Sequence, residues 1–375
     1  MGKKFDYTRF ARRFATRFPF LTFILSQVSF WLIAYVLLAI LAHLLLLTAG
    51  PSLRASISLK ANIVLAIFVG FFNGIAAGLV GLFFEKRFFY NKSLGIIIFG
   101  KAIINLVIFI ILLSVVRSVL YPFLMEQMSL KEDPATAQQS WDAFFYFLLI
   151  FNIAAGLLIN FINQVNRKYG PGVLLPLLLG KYRKPREEQR IFLFMDLHSS
   201  TSLAEALGHL KYSAFIRDSF MDINSVIPDC NAQVYQYVGD EVVVTWTLEE
   251  GLKDLACVRF YFACEARFAS RSKHYLSKYG QVPKFKAGLH MGIVTAVEVG
   301  DIKRDIAYHG DTLNTAARIQ GVCNEYNKRF LTSRYVLDHS GLQNFYETES
   351  IGTIRLKGKT QPVEIVSIES NPTPQ

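Results

Sequence analysis

Residues 235–246 read Y-Q-Y-V-G-D-E-V-V-V-T-W, two β-type runs joined by Gly239-Asp240-Glu241. Tyr235, Tyr237 and Val238 precede the break, and Val242, Val243, Val244 and Trp246 follow it. Aromatic and β-branched runs around a glycine-containing break predict a β-hairpin. An aspartate at such a tip is ordinary turn chemistry, because its carboxylate accepts from nearby main-chain N–H groups. The hairpin alone therefore leaves two readings of Asp240, a turn former or a carboxylate aimed at a ligand.

The text on either side of the hairpin is mixed α/β from Arg190 onward. I-F-L-F-M predicts a buried strand ending at Asp196, and Ser199, Ser200, Thr201 and Ser202 then open a helix reaching about Ile227. After the hairpin a long amphipathic helix is expected from Leu248 to about Tyr279. A strand pair follows in F-K-A-G-L-H-M-G-I-V-T-A-V-E-V-G, then a helix from Asp311 to Asn327 and short closing strands. Strand, helix, hairpin, helix, strand is the βαββαβ order of a ferredoxin-like palm.

On that order the strand ending at Asp196 lies beside the hairpin, so Asp196 and Asp240 can meet at one sheet edge, although 240 − 196 = 44 positions separate them. Two carboxylates suit Mg²⁺, which takes a few hard oxygen ligands and completes its shell with substrate phosphates. A helix opening at Ser199 offers free N–H groups and its positive dipole end to the same phosphates. Taken singly, Asp196 reads as a helix cap and Asp240 as a turn; together, on a palm, they read as a metal pair. Further on, G-D-T-L-N-T-A-A-R (310–318) places Asn314 and Arg318 four apart, on one helix face. With Leu313, Ala316, Ala317 and Ile319 apolar around them, they project one amide and one planar cation, which suits charge building on a phosphoryl group.

The first half of the chain is different in kind. No Asp, Glu, Lys or Arg occurs in 18–53, 61–84 or 143–166, and each run exceeds the ~20 residues a helix needs to cross a bilayer. A fourth segment, centred on 102–116, is bounded by Lys101 and Arg117, whose charged ends are expected to snorkel to opposite interfaces. Four transmembrane helices follow, in keeping with 52% hydrophobic residues, too many for a soluble enzyme of this length. The first run is far longer than a signal-peptide core. Basic flanks (Lys3, Lys4, Arg9, Arg12, Arg13 and Arg17; then E-K-R-F-F-Y-N-K; then N-R-K-Y-G) alternate with a loop carrying Glu126, Glu132, Asp133 and Asp142. That alternation predicts a multi-pass protein of the cell (inner) membrane with both termini cytoplasmic. The net charge of +11 is accounted for by these flanks and anionic lipid, with no nucleic acid partner. Cys230, Cys257, Cys264 and Cys323 form no CxxC pair, so they read as reduced, buried thiols. His198 and His290 read as ordinary histidines, and His43 is a lone polar residue in the first span.

In combination, F-M-D-L-H-S-S-T, Y-V-G-D-E-V, K-A-G-L-H-M-G, G-D-T-L-N-T-A-A-R and L-K-G-K resemble the class III nucleotide cyclases, from about Arg190 to Ile368. The resemblance implies a head-to-tail homodimer with active sites at its interface. Asp196, Leu197 and Asp240 of one subunit are then the positions for two Mg²⁺ or Mn²⁺ ions, and Ser199, Ser200 and Thr201 the phosphate-binding turn. Asn314 and Arg318 of the other subunit orient the ribose and stabilise the transition state, and Lys357 contacts the substrate. Gln236 and Ala307 occupy the base-reading positions, where adenylate cyclases usually carry Lys with Asp or Thr, and guanylate cyclases Glu at the first. ATP is the expected substrate because the acidic guanine reader is absent. A guanylate or relaxed purine cyclase, a diguanylate cyclase and a silent scaffold that keeps the fold for dimerisation are the alternatives. The expected architecture is an α-helical membrane domain of four transmembrane helices (1–166), a juxtamembrane linker (167–189) and an α+β ferredoxin-like palm of the class III cyclase type (190–370).

Overall fold

The computed structural model describes residues 19–48, 59–87, 94–115, 117–118, 134–169, 180–301, 304–355 and 362–370. The chain divides into two compact units, Met1–Leu174 and Leu175–Gln375.

Within the first unit the described residues form four long helices: α1 (Pro19–Thr48), α2 (Leu59–Arg87), α3 (Leu94–Val115) and α4 (Pro134–Tyr169). Each contains a stretch long and apolar enough to cross a membrane: Phe20–Leu45, Asn62–Phe83, Gly95–Val115 and Phe145–Gln164. α1 and α2 lie close because Gly70, Gly74, Gly78 and Gly81 follow one face of α2. A Cβ built on Gly74 would stand 2.5 Å from the Val28 Cα. Small residues let apolar helices pack backbone to backbone where no hydrophobic effect drives them together. Trp31, Tyr35 and Phe109 fill the interior, and Asn152 donates to the Tyr35 hydroxyl at 2.9 Å. Lys101 departs from the snorkelling expectation. Arg117 does lie outward, 3.9 Å from Asp142, but Lys101 is only 7% exposed and turns into the bundle.

In the second unit the described residues form an eight-stranded sheet. Its elements are β1 (Arg186–Leu197), α5 (Ser200–Val226), β2 (Gln233–Val238), β3 (Glu241–Thr247), α6 (Leu248–Leu252), α7 (Ala256–Ser270), α8 (Ser272–Tyr279) and β4 (Phe285–Val299), then β5 (Asp305–His309), α9 (Asp311–Gly321), β6 (Phe330–Ser333), α10 (Arg334–Ser340), β7 (Tyr346–Ile354) and β8 (Val363–Ser370). The strand order is β2-β3-β1-β4-β6-β8-β7, with β5 paired to β4. The first four strands are antiparallel neighbours in the ferredoxin-like arrangement, and β6 joins β4 in parallel.

β1 explains why I-F-L-F-M reads as an unbroken apolar run. Successive side chains of a strand point to opposite faces. Ile191, Leu193, Met195 and Leu197 enter the core with Phe215, Cys264, Phe268 and Tyr275 of α5, α7 and α8. Phe192 and Phe194 face the other way, onto Val294, Ala316 and Tyr308. Asp196 shares their parity and so belongs to the face covered by α9. That helix sits directly on β4, because a Cβ on Gly288 would stand 2.3 Å from the Gln320 main-chain nitrogen. Gly288→Ala is expected to lift α9 from the sheet and cost about 1–3 kcal/mol, the usual cost of overpacking. A denaturation midpoint equal to that of the parent chain would refute this.

Four boundaries differ from the sequence expectations. The strand expected from Ile191 begins at Arg186, so Arg190 lies inside β1, 3% exposed, 2.8 Å from Glu188 and against the Tyr308 ring. The long helix from Leu248 is interrupted at Asp254 (φ 51°) and Leu255 (φ 50°), both in the left-handed region, and again at Arg271 (φ -103°), which divide it into α6, α7 and α8. The expected strand pair at 285–300 is one 15-residue strand whose distal half pairs with β5. The helix from Asp311 ends at Gly321, not Asn327.

α5 is tied to α7 and α8 by two buried carboxylates. Asp222 accepts from Arg267 (3.1 Å), Arg271 (2.8 Å) and Tyr275 (2.5 Å). Asp218 accepts from Lys278 (2.9 Å), Tyr279 (2.7 Å) and His274 (3.2 Å). Burial opposes ionisation of Asp218, but the bonds from Lys278, Tyr279 and His274 outweigh it and hold the group well below the usual carboxylate range. A depressed folded pKa gives stability that is complete above the unfolded value of about 4 and is lost as pH falls below it. Asp218→Asn is therefore expected to lower stability at pH 7 by about 1.5–3 kcal/mol, the range for bonds to a charged group. The gap between parent and variant should close as thermal unfolding is repeated at successively lower pH, and a gap independent of pH would contradict the assignment.

Candidate active site

The hairpin of Tyr235–Trp246 is present, with a two-residue connection. Val238 opposes Glu241, Gly239 takes the left-handed φ of 61° and Asp240 follows it at the tip. Across the sheet Glu241 is also the register partner of Asp196. Cross-strand partners have Cβ atoms about 5 Å apart, which makes Asp196 and Glu241 neighbours; Asp240 is the next residue along, and the charges of both aspartates act on Glu241 and on Tyr212.

The two carboxylates are held differently. One Asp196 oxygen is 3.1 Å from the Lys286 ammonium on β4 and accepts from Gln320 of α9 at 3.2 Å. Asp240 Oδ2 is buried with no hydrogen-bond partner. An unpartnered buried carboxylate oxygen is costly, and each such atom in a native structure calls for an explanation. Glu241 beside them is pushed up to about 7, first by burial, then by the charges of Asp196 and Asp240, with Lys286 giving partial relief. Burial and then the Asp240 charge also raise the Tyr212 phenol of α5, whose hydroxyl bonds Ser200. A local excess of negative charge and an orphaned oxygen fit a cation ligated by Asp196 and Asp240. Among the described residues no three acidic, histidine or cysteine side chains converge as a closed metal cage. The pair is thus an open site that needs ligands from outside, as a metal–phosphate site does. Leu197 is 2% exposed with its side chain in the core, so it can offer a metal only its main-chain carbonyl.

The start of α5 lies next to this pair. Ser199 holds the left-handed conformation (φ 57°, ψ 36°) and makes no side-chain cap. Its hydroxyl instead lies 2.8 Å from His198 Nδ1, while its carbonyl accepts from Leu203 at 3.1 Å. The first-turn N–H groups, those of Ser200 and Thr201 included, receive no acceptor from the capping side chain. Such groups with the helix dipole form a ready anion site.

Gln236 is exposed on β2, just past a bulge after Val234. Ala307 lies on β5 opposite Val297. Their neighbours meet, the Tyr235 hydroxyl accepting from the Tyr308 N–H at 3.3 Å, so the two expected base-reading positions belong to one region of one chain. Asn314 is exposed and Arg318 half-buried on α9, whose inner face buries Thr315, Ala316 and Ile319. Among the described residues neither Asn314 nor Arg318 bonds another side chain, and neither reaches Asp196 or Asp240 of its own chain. Lys357 and its L-K-G-K stretch fall outside the described residues.

Reading the sequence missed Lys286, Gln320, Glu241 and Tyr212. Lys286 lies in the quoted K-A-G-L-H-M-G, and the β1–β4 register makes it the partner of Asp196. His290 lies 2.7 Å from the Ser333 hydroxyl, and the four cysteines are free and buried, as expected.

Residues 183–369 match the family model described as the adenylate and guanylate cyclase catalytic domain, so the chain belongs to the class III adenylate and guanylate cyclase family through that domain. It is 35% identical over 221 residues to "Adenylate cyclase 2" of Rhizobium meliloti (strain 1021), covering 59% of this chain and 61% of that protein. It is 24% identical to "Adenylate cyclase" of Anabaena cylindrica over 48% of this chain and 36% of that one. The chain thus spans about three fifths of the first relative's length and less of the second. Among solved structures, the adenylyl cyclase CyaB from P. aeruginosa is similar at 15% identity and a TM-score of 0.44, over 51% of this chain and 98% of that one.

Proposed function

We propose that this chain is a membrane-anchored cyclase that converts ATP to 3′,5′-cyclic AMP and pyrophosphate at a site shared by two copies. The observation that carries this reading is the buried, unpartnered Asp240 oxygen beside Asp196, at the foot of an uncapped helix. The similarity to adenylate cyclases supports the choice of nucleotide. The apolar helices and their basic flanks support a multi-pass protein of the inner membrane with both termini in the cytoplasm.

Asp196 and Asp240 would hold two Mg²⁺ or Mn²⁺ ions, with the Leu197 carbonyl as a further oxygen, and ions bound there would supply charge neutralisation and a lowered pKa for the 3′-hydroxyl. Lys286 and Gln320 keep Asp196 aimed, and the N–H groups from Ser199 to Thr201 hold the triphosphate. From the second copy, Asn314 sets the ribose, Arg318 faces the α-phosphoryl group and Lys357 contacts the substrate. The 3′-oxygen bonds to the α-phosphorus as the bond to the bridging oxygen breaks. Pyrophosphate leaves with that electron pair and the hydroxyl proton passes to solvent.

Gln236 favours a second reading of specificity. Its amide both donates and accepts, so it can bond either purine, and Ala307 adds no side-chain hydrogen bond. A site lacking polar readers rejects the wrong ring weakly. Initial rates with ATP and GTP side by side, on the full chain in membranes, decide the matter. ATP is expected to be preferred, and Gln236→Lys should widen the preference. Faster turnover of GTP would overturn the ATP reading, and turnover of neither would favour the silent scaffold.

A further inference from the structure

Gln236 and Ala307, the two expected base-reading positions, stand on strands that do not pair. Gln236 is on β2, and β3, β1 and β4 lie between it and β5, which carries Ala307. Ladder hydrogen bonds between neighbouring strands therefore do not fix one position against the other. Side chains on one face of the sheet do. Phe192 of β1, Tyr235 of β2 and Tyr308 of β5 form a triangle of edge-to-face rings, with centroids 6.1, 5.6 and 5.1 Å apart. Such aromatic pairs contribute about 0.5–1.5 kcal/mol each beyond their burial. Tyr235 and Tyr308 are the chain neighbours of Gln236 and Ala307, so a shift of either ring moves a base-reading position with it.

One buried cation grips both strands. Arg190 precedes Phe192 by two residues on β1, shares its face and is 3% exposed. Its Nη1 donates to Gln233 Oε1 of β2 at 3.3 Å, and its guanidinium carbon lies 4.7 Å from the centre of the Tyr308 ring of β5. Nε and Nη2 both meet Glu188 Oε2, at 2.9 and 2.8 Å, and Glu188 Oε1 accepts from the Tyr182 hydroxyl at 3.4 Å. Glu188 thus neutralises the cation and fixes the plane of its fork. A buried ion pair is weak evidence for stability, since apolar side chains of similar volume often serve packing as well or better. We propose that Arg190 is a positioning residue for the purine, setting β2 against β5, and so Gln236 against Ala307, without touching the nucleotide. This rests on the base-reading roles given to those two positions. Asp196 is 196 − 190 = 6 residues further along β1, about 20 Å on an extended strand. At that distance Arg190 acts on recognition of the base and not on the metal pair.

The test uses the full chain in membranes, with initial rates measured over a range of ATP and of GTP. Arg190→Lys keeps the charge but loses both the fork and the stack on Tyr308. Contacts to the base are the same in the ground and transition states, so their loss raises KM and spares kcat. For the purine that the parent prefers, KM should rise about tenfold, the scale of one pocket contact, while kcat stays within about threefold. The ratio of kcat/KM between the two purines should move toward one. Should that variant not fold, Gln233→Met cuts only the link to β2 and leaves Arg190 paired with Glu188; a KM rise of about threefold is expected there. Asp218→Asn, which loosens the same unit through α5, controls for lost stability and should keep the parental KM. An unchanged KM in the Arg190 and Gln233 variants, a fall in kcat alone, or an equal rise in Asp218→Asn overturns the proposal. A parent that turns over neither purine refutes the proposed function by itself. Competition of ATP and GTP against a fluorescent nucleotide then reads the same shifts as Kd, and a parent that binds neither overturns this inference as well.

Discussion

Asp240→Asn is expected to leave the protein folded and nearly without turnover. Metal ions contribute several kcal/mol of charge stabilisation in such sites, and each 1.36 kcal/mol is tenfold in rate, so a loss of about 10³-fold is expected in kcat. Asparagine keeps the size of aspartate and its tolerance of the hairpin tip, so Gly239 and the two-residue connection survive. Stability should move the other way. The variant removes one of three neighbouring acids, the one with the orphaned buried oxygen, and so relieves the charge that raises Glu241. The expected signature is an inactive protein with a higher unfolding midpoint. Turnover at the parent rate would remove Asp240 from the metal site, and a fallen midpoint would show that its carboxylate is structural.

The second large effect is expected at Arg318. Losing a group that stabilises developing transition-state charge typically costs about 10²–10³ in kcat, and Arg318→Ala should fall in that range. Its distinguishing feature is complementation. The Arg318 side chain bonds no other described side chain of its own chain, and on the proposed shared site it serves the neighbouring copy. Equal co-expression of Asp240→Asn and Arg318→Ala chains gives mixed pairs with one intact site each, and random pairing in a two-fold dimer then restores about a quarter of parental activity. If Arg318 served the site of its own chain, every site in the mixture would carry a defect and nothing would recover.

Much of this site was legible because its chemistry sits at element ends. Asp196 closes an apolar run, Asp240 sits between two β-type runs, and Ser199 precedes a helical period. What stayed hidden depends on pairing. Gln320 lies 124 residues from the Asp196 oxygen it bonds, and only the seating of α9 on Gly288 joins them. Lys286 needed the β1–β4 register before its direction could be known. The breaks at Asp254 and Leu255 fall on two non-glycine residues in the left-handed region, which the helical period of that stretch does not mark. Lys101 was misjudged because an apolar span was treated as a rod in lipid. The bundle gives that rod an inside, and the Asn152 amide, bonded to Tyr35, makes the inside polar.

The exposed face of α9 has a quantitative consequence. On the proposed shared site each chain offers its aspartates to one site and its α9 face to another, and a single chain is then silent. While pairs are scarce, mass action makes the number of complete sites rise with the square of chain density in the membrane. Doubling the copy number in a fixed membrane area then quadruples second-messenger output, and crowding chains into a smaller patch raises it with no new synthesis.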